Sequence, residues 1–199
     1  MQTSFKRILT LSIVGLALHG CALTDASLEV GNDMTVVNEG PLSEPESLVF
    51  RVNEFEDARE DTVRVGYKKN GFGQNMGDIA TARPVTEVIS DAITAAAIAN
   101  GHTIGESGIV IDGVVNRFWI ETDINFTNIE MACNIEAEVF FSHPQSNDVF
   151  YSATYNGSFS DKKQMGTEGN FTEIIDGALQ ALIDEIVFDE ALAESLTAL

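Results

Sequence analysis

The sequence predicts an α+β fold, an antiparallel meander sheet covered on one face by two helices. Three observations predict it. Residues 129–141 alternate strictly, with Ile129, Met131, Cys133, Ile135, Ala137, Val139 and Phe141 on one side and Glu130, Asn134, Glu136 and Glu138 on the other. That is the period of a strand with one wet face. Two further strand-like runs, 109–122 and 149–159, flank it across short connections. Two segments, 85–96 and 171–196, place apolar residues at helical spacing, which gives each helix one face to bury.

In chain order, residues 21–46 read as an acidic tether. From Ala22 to Ser47 there are six acids and no Lys or Arg, with Gly31, Gly40, Pro41 and Pro45 as punctuation. Within it, 28–37 has the composition of an edge strand. Residues 47–55 alternate Leu48, Phe50 and Val52 against Val49 and Arg51, a strand pattern. The acidic turn EDARED follows, where Arg59 can pair with Asp57 or Glu56 and fix the bend. Residues 62–67 form a second short strand, and KKNGFGQNMGD (68–78) reads as an exposed glycine loop. Pro84 suits the first turn of a helix. Val85, Val88, Ile89, Ala92, Ile93 and Ala96 give its stripe, and Asn100-Gly101 its stop. After the three meander strands, Asn170 with Glu173 reads as a capping pair for one long final helix.

The N-terminus carries Lys6 and Arg7 and then an apolar run over residues 8–18. That run is shorter than the roughly 20 residues a spanning helix needs and fits a secretory signal. It ends in Leu18-His19-Gly20-Cys21, which resembles the lipobox of bacterial lipoproteins. The expected organisation is a signal peptide over 1–20, lipidation at Cys21, the tether, and one periplasmic domain over 47–199. Ala22 rather than Asp after the Cys implies, by resemblance, the outer membrane.

Removing residues 1–20 takes away two cations and no acid, leaving nine Lys and Arg against 31 acids and a formal charge of −22. Such a charge repels nucleic acid. Cys133 is then the only cysteine besides Cys21, and it lies on the apolar side of its strand, the place of a small buried hydrophobe. With His19, His102 and His143 as the only histidines, no zinc spacing occurs.

The glycine loop runs G-x-G-x-x-x-G through Gly71, Gly73 and Gly77, and residues 78–83 separate it from its helix. A dinucleotide fingerprint needs G-x-G-x-x-G opening the helix directly, so no phosphate site is expected. Lys68, Lys69, Phe72 and Met76 instead make a candidate contact patch for a partner. Ser160-Asp161-Lys162-Lys163 matches S-x-x-K but lacks its companion motifs. The acids of the 54–61 turn lack the calcium-loop pattern.

The pieces together resemble the YajG-like lipoproteins, small bacterial envelope proteins. The matching residues are Leu18 to Cys21, the strand and D-x-R turn through Asp57-Ala58-Arg59, Val65-Gly66, and the helix from Val85 to Asn100-Gly101. Auxiliary lipoproteins of ABC transporters and activators of penicillin-binding proteins are similar in outline. The resemblance implies an accessory or structural envelope role and brings no catalytic residues. The expectation is an outer-membrane-anchored, non-catalytic protein without metal or cofactor. It would hold the membrane through Cys21 and bind another envelope protein through the 68–78 loop or an open sheet edge. A carrier of a lipid or other hydrophobic ligand is the alternative.

Overall fold

A computed structural model describes residues 25–32 and 34–199. The signal segment and Cys21 lie outside the described residues. The described residues form one nine-stranded sheet with three α-helices.

The centre is a long antiparallel meander: β7 (Ile109–Ile124), β8 (Ile129–Ser142) and β9 (Val149–Lys163). β8 pairs with both neighbours along its length. Met131, Cys133, Ile135, Ala137, Val139 and Phe141 of β8 are all buried, as their alternation requires. In β7 the first three residues, Ile109, Val110 and Ile111, are all buried; beyond them the buried residues are Gly113 and Val115, then Phe118, Ile120 and Thr122. The parity switches because the register shifts between Val115 and Arg117, a β-bulge that absorbs one extra residue.

The sheet is mixed rather than a purely antiparallel meander, and this corrects the expected architecture. The second edge of β7 is shared by three short strands laid end to end: β2 (Val49–Val52), β3 (Glu56–Asp57) and β4 (Gly66–Lys69). All three run parallel to β7. Parallel neighbours need a crossover connection, and α1 (Val85–Ala99) lies on it. β6 (Thr103–Ile104) pairs parallel with β2. β5 (Asn75–Thr81) folds back antiparallel on β4. β1 (Ala26–Leu28) adds a parallel edge strand to β5.

The segment read as a tether therefore contributes to the domain. Ala26, Leu28, Val30 and Leu42 are buried in the main core. Gly31 N–H donates to Asp176 Oδ1 at 2.7 Å, and Asn100 Nδ2 donates to the Val37 carbonyl at 3.0 Å.

The helix count is also corrected, from two to three. The expected final helix is divided into α2 (Glu168–Val187) and α3 (Glu190–Thr197). Asp189 leaves helical geometry at the break. Its Oδ1 accepts from Leu192 N–H at 3.1 Å and caps α3, while its Oδ2 accepts from the hydroxyls of Tyr151 and Tyr155 at 2.6 and 2.7 Å. The apolar stripe continues across the break through Leu192 and Leu196, so periodicity alone does not reveal it. α2 starts on Thr167, whose Oγ1 accepts from Asn170 N–H, and not on an Asn170–Glu173 pair. α1 and α2 pack together over the inner face of the sheet. Gly157 allows α2 to approach β9, since a Cβ there would overlap the Ala178 carbonyl.

Candidate functional site

The 68–78 segment is a β-hairpin, not a loose loop. Asn70 builds its turn: its Oδ1 accepts from the N–H groups of Phe72 and Gln74 at 2.9 and 3.0 Å, and its Nδ2 donates to Gln74 Oε1 at 2.9 Å. Gly73 takes a φ of 77°, open to glycine and unfavourable for a bulky residue. The turn holds Phe72 at its tip, 92% exposed.

The four expected contact residues do not form one patch. The pairing of β4 with β5 shifts register between Lys68 and Lys69, which interrupts the simple alternation of the strand. Lys68 turns inward, buried, with Nζ 3.6 Å from Glu168 at the start of α2. Lys69 Nζ donates to the Thr122 carbonyl at 3.0 Å. Met76 is half-buried and its sulfur meets Asn70 Nδ2. Phe72 and Lys69 are exposed, Lys68 and Met76 are not.

Lys68 and Lys69 instead line a cleft of about 320 Å³ at this end of the sheet, with Thr122, Met131, Met165 and Phe171. Thr122 Oγ1 is buried there without a hydrogen-bond partner. Deeper in, Met131, Cys133, Leu179, Leu182 and Ile183 fill the space between sheet and helices at zero exposure. A shallower groove of about 880 Å³ crosses the outer face, bordered by Arg64, Arg117, Trp119 and Glu121. Its wall is held by Arg59, which forks onto both Asp57 oxygens at 2.8 Å and donates to the carbonyls of Thr62 and Arg64.

Catalytic geometry does not assemble at the motifs singled out in the sequence. Lys163 pairs with Asp161 and Glu173, and Ser160 sits exposed on β9. Burial raises the Cys133 thiol far above its ordinary range, which makes it inert. Among the described residues no group of three His, Cys, Asp or Glu is placed to hold a metal.

Two features escaped sequence reasoning. The first is the free edge of β9, which pairs only with β8 among the described residues. Residues 149–160 carry neither charge nor proline, a signal that was legible but gave no hint of an edge position. Ser152, Thr154, Asn156, Ser158 and Ser160 are exposed along it. Glu185 of α2 accepts from the Asn156 N–H. The second is a pair of apolar residues in other turns, Phe126 and Met165, both largely in water.

No family profile matches the chain, and no curated protein does. Solved structures do. A Xanthomonas campestris protein of the DUF330 family superposes with a TM-score of 0.56 at 15% identity, covering 88% of this chain and 97% of its own. The fold is shared with that protein. A Helicobacter pylori homologue of a neuraminyllactose-binding hemagglutinin reaches 0.50 at 10% identity, over 83% of this chain and 98% of its own. Both likenesses extend over most of the chain. At such identities they establish architecture and nothing finer.

Proposed function

We propose that the chain is a YajG-like lipoprotein of the bacterial envelope, anchored in the outer membrane through Cys21, that binds another envelope protein without catalysis. The observation that carries this reading is the edge of β9, which among the described residues pairs only with β8 and meets Glu185 at Asn156. Edge strands are ordinarily protected by charge, proline or a covering element, because their free N–H and C=O groups template pairing with another strand. Over residues 149–160 this one has neither charge nor proline. A chain of net charge −20 is poorly suited to self-pairing, so the edge fits an extended segment of a different protein, added as a further strand.

A C-terminally tagged chain bearing a photo-cross-linker at Thr154, or at Gln145 as control, would be irradiated in intact cells and its adducts identified. Thr154 shares the parity of Asn156, whose N–H points away from β8 to Glu185. Thr154→Pro therefore removes an edge donor without breaking the β8–β9 ladder. The expected result is a discrete adduct at Thr154 and loss of the co-purified protein in Thr154→Pro, with the far-UV spectrum unchanged. Undiminished co-purification by Thr154→Pro overturns the edge as the contact. Membrane release of Cys21→Ser, read by fractionation, tests the anchor separately.

A further inference from the structure

After Cys21 the sequence contains four lysines, Lys68, Lys69, Lys162 and Lys163. All stand at one end of the sheet. Lys69 reaches Thr122 near the end of β7, Ile124 faces Ile129 at the start of β8, and Ile129 faces Lys163 at the end of β9. Three turns leave this end: 70–74, 125–128 and 164–167. Each displays a large apolar side chain, with Phe72 at 92%, Phe126 fully exposed and Met165 at 64%. Single exposed hydrophobics are ordinary, but three gathered from separate turns are not.

The chain also enters from this end. β1 runs parallel to β5, with Ala26 beside Ile79, and Asp25 accepts from the Asp78 N–H. Asp25, at the start of β1, therefore lies on the side of β5 nearer the hairpin turn. Only residues 22–25 separate Cys21 from β1, and four residues reach at most about 14 Å when extended.

We propose that this end of the domain rests on the bilayer that holds Cys21, with Phe72, Phe126 and Met165 set into the lipid interface. The inference rests on the anchor reading above and deepens it, fixing which face meets lipid and leaving the β9 edge free at the side. The lysines are not bare charges: Lys68 meets Glu168, Lys162 meets Glu130, and Lys163 meets Asp161 and Glu173. Their role is to offset these carboxylates, so the end approaches phosphate headgroups with less repulsion than the rest of an acidic molecule. The opposite end shows Val49, Ile104 and Val149, each about half in water on a strand rather than at a turn tip, and no lysine.

The full lipidated chain would be reconstituted into vesicles of phosphatidylethanolamine with a minor share of phosphatidylglycerol. An environment-sensitive fluorophore would be placed at Phe72→Cys, at Phe126→Cys, or at Gln145→Cys in the opposite turn. Buried Cys133 does not compete for label. The expected result is a blue-shifted emission, quenched by a lipid-borne quencher, at 72 and 126, with 145 remaining in water. Labels at 72 and 126 that behave like 145 on a vesicle-bound chain overturn this inference and leave the anchor standing. A chain that does not stay on the vesicles overturns both.

Discussion

His102 shows how a single buried group couples this fold to pH. Its Nδ1 accepts from Leu48 N–H at 3.2 Å, which leaves the proton on Nε2, 2.8 Å from the Leu42 carbonyl. The ring also stacks edge-on against Phe50 at 5.0 Å. Burial lowers its pKa below the ordinary 6.5, against the opposing pull of the Leu42 hydrogen bond. The unfolded chain then takes up a proton near pH 6.5 that the folded chain refuses. Between the two pKa values the unfolded state binds more protons, so stability falls as pH drops below 6.5. Thermal unfolding from pH 7 to pH 5 should show this slope, and His102→Gln should flatten it. Asp189 is the acidic counterpart. Burial would raise its carboxyl, but the hydroxyls of Tyr151 and Tyr155 and the backbone of α3 outweigh that and hold it below the ordinary carboxylate value. Burial, with Asp189 beside it, pushes Tyr151 up to about 12.

Among the elements, the β3–β4 connection depends on one side chain. The chain leaves β7 after Asp57 and rejoins it at Gly66, and the intervening bulge encloses the Arg59 guanidinium. Arg59→Ala removes the partner of Asp57 and orphans the Thr62 and Arg64 carbonyls. Breaking a fully buried ion pair costs about 3–5 kcal/mol. The Asp57 side chain is 24% exposed, so the expected loss is smaller, roughly 2–3 kcal/mol. Differential scanning calorimetry should find a Tm lower by roughly 4–12 °C. The D-x-R turn was legible in the sequence because its pairing is local. The hairpin beside it was not, because KKNGFGQNMGD carries the glycines of a loop, and only pairing with β1 and β7 makes strands of its flanks.

At the scale of the molecule, the acidic N-terminal stretch belongs to the core. Leu28, Val30 and Leu42 are each at least 96% buried. Burying such side chains contributes about 1.5–3 kcal/mol apiece, roughly 5–9 kcal/mol together, against about 5–15 kcal/mol for a whole domain. A chain beginning at residue 47 should therefore lack a cooperative thermal transition, while one beginning at residue 22 should retain it. The composition of 21–46, rich in acids and turn residues, hid this because the alternation of Ala26, Leu28 and Val30 spans only five residues before Gly31 ends it. The candidate contact patch failed to assemble for a related reason. Lys68 and Lys69 are drawn to partners across the cleft, Glu168 and the Thr122 carbonyl, and the residues that join Phe72 at its end of the sheet, Phe126 and Met165, come from turns far along the chain.

By itself the sequence determined the inward faces of β8, α1 and α2 and the antiparallel run of the last three strands, because burial imprints a local period of two or 3.6 residues. It also determined the strongly acidic surface. Only the tertiary structure decided which strands lie beside β7 and in which direction, where the final helix breaks, and which turns share an end of the molecule. Strand alternation reports a face, not a neighbour. The parallel pairings join residues separated by long stretches of chain, and the helix break is set by two tyrosines on another element that meet Asp189 only once β9 and α2 have packed.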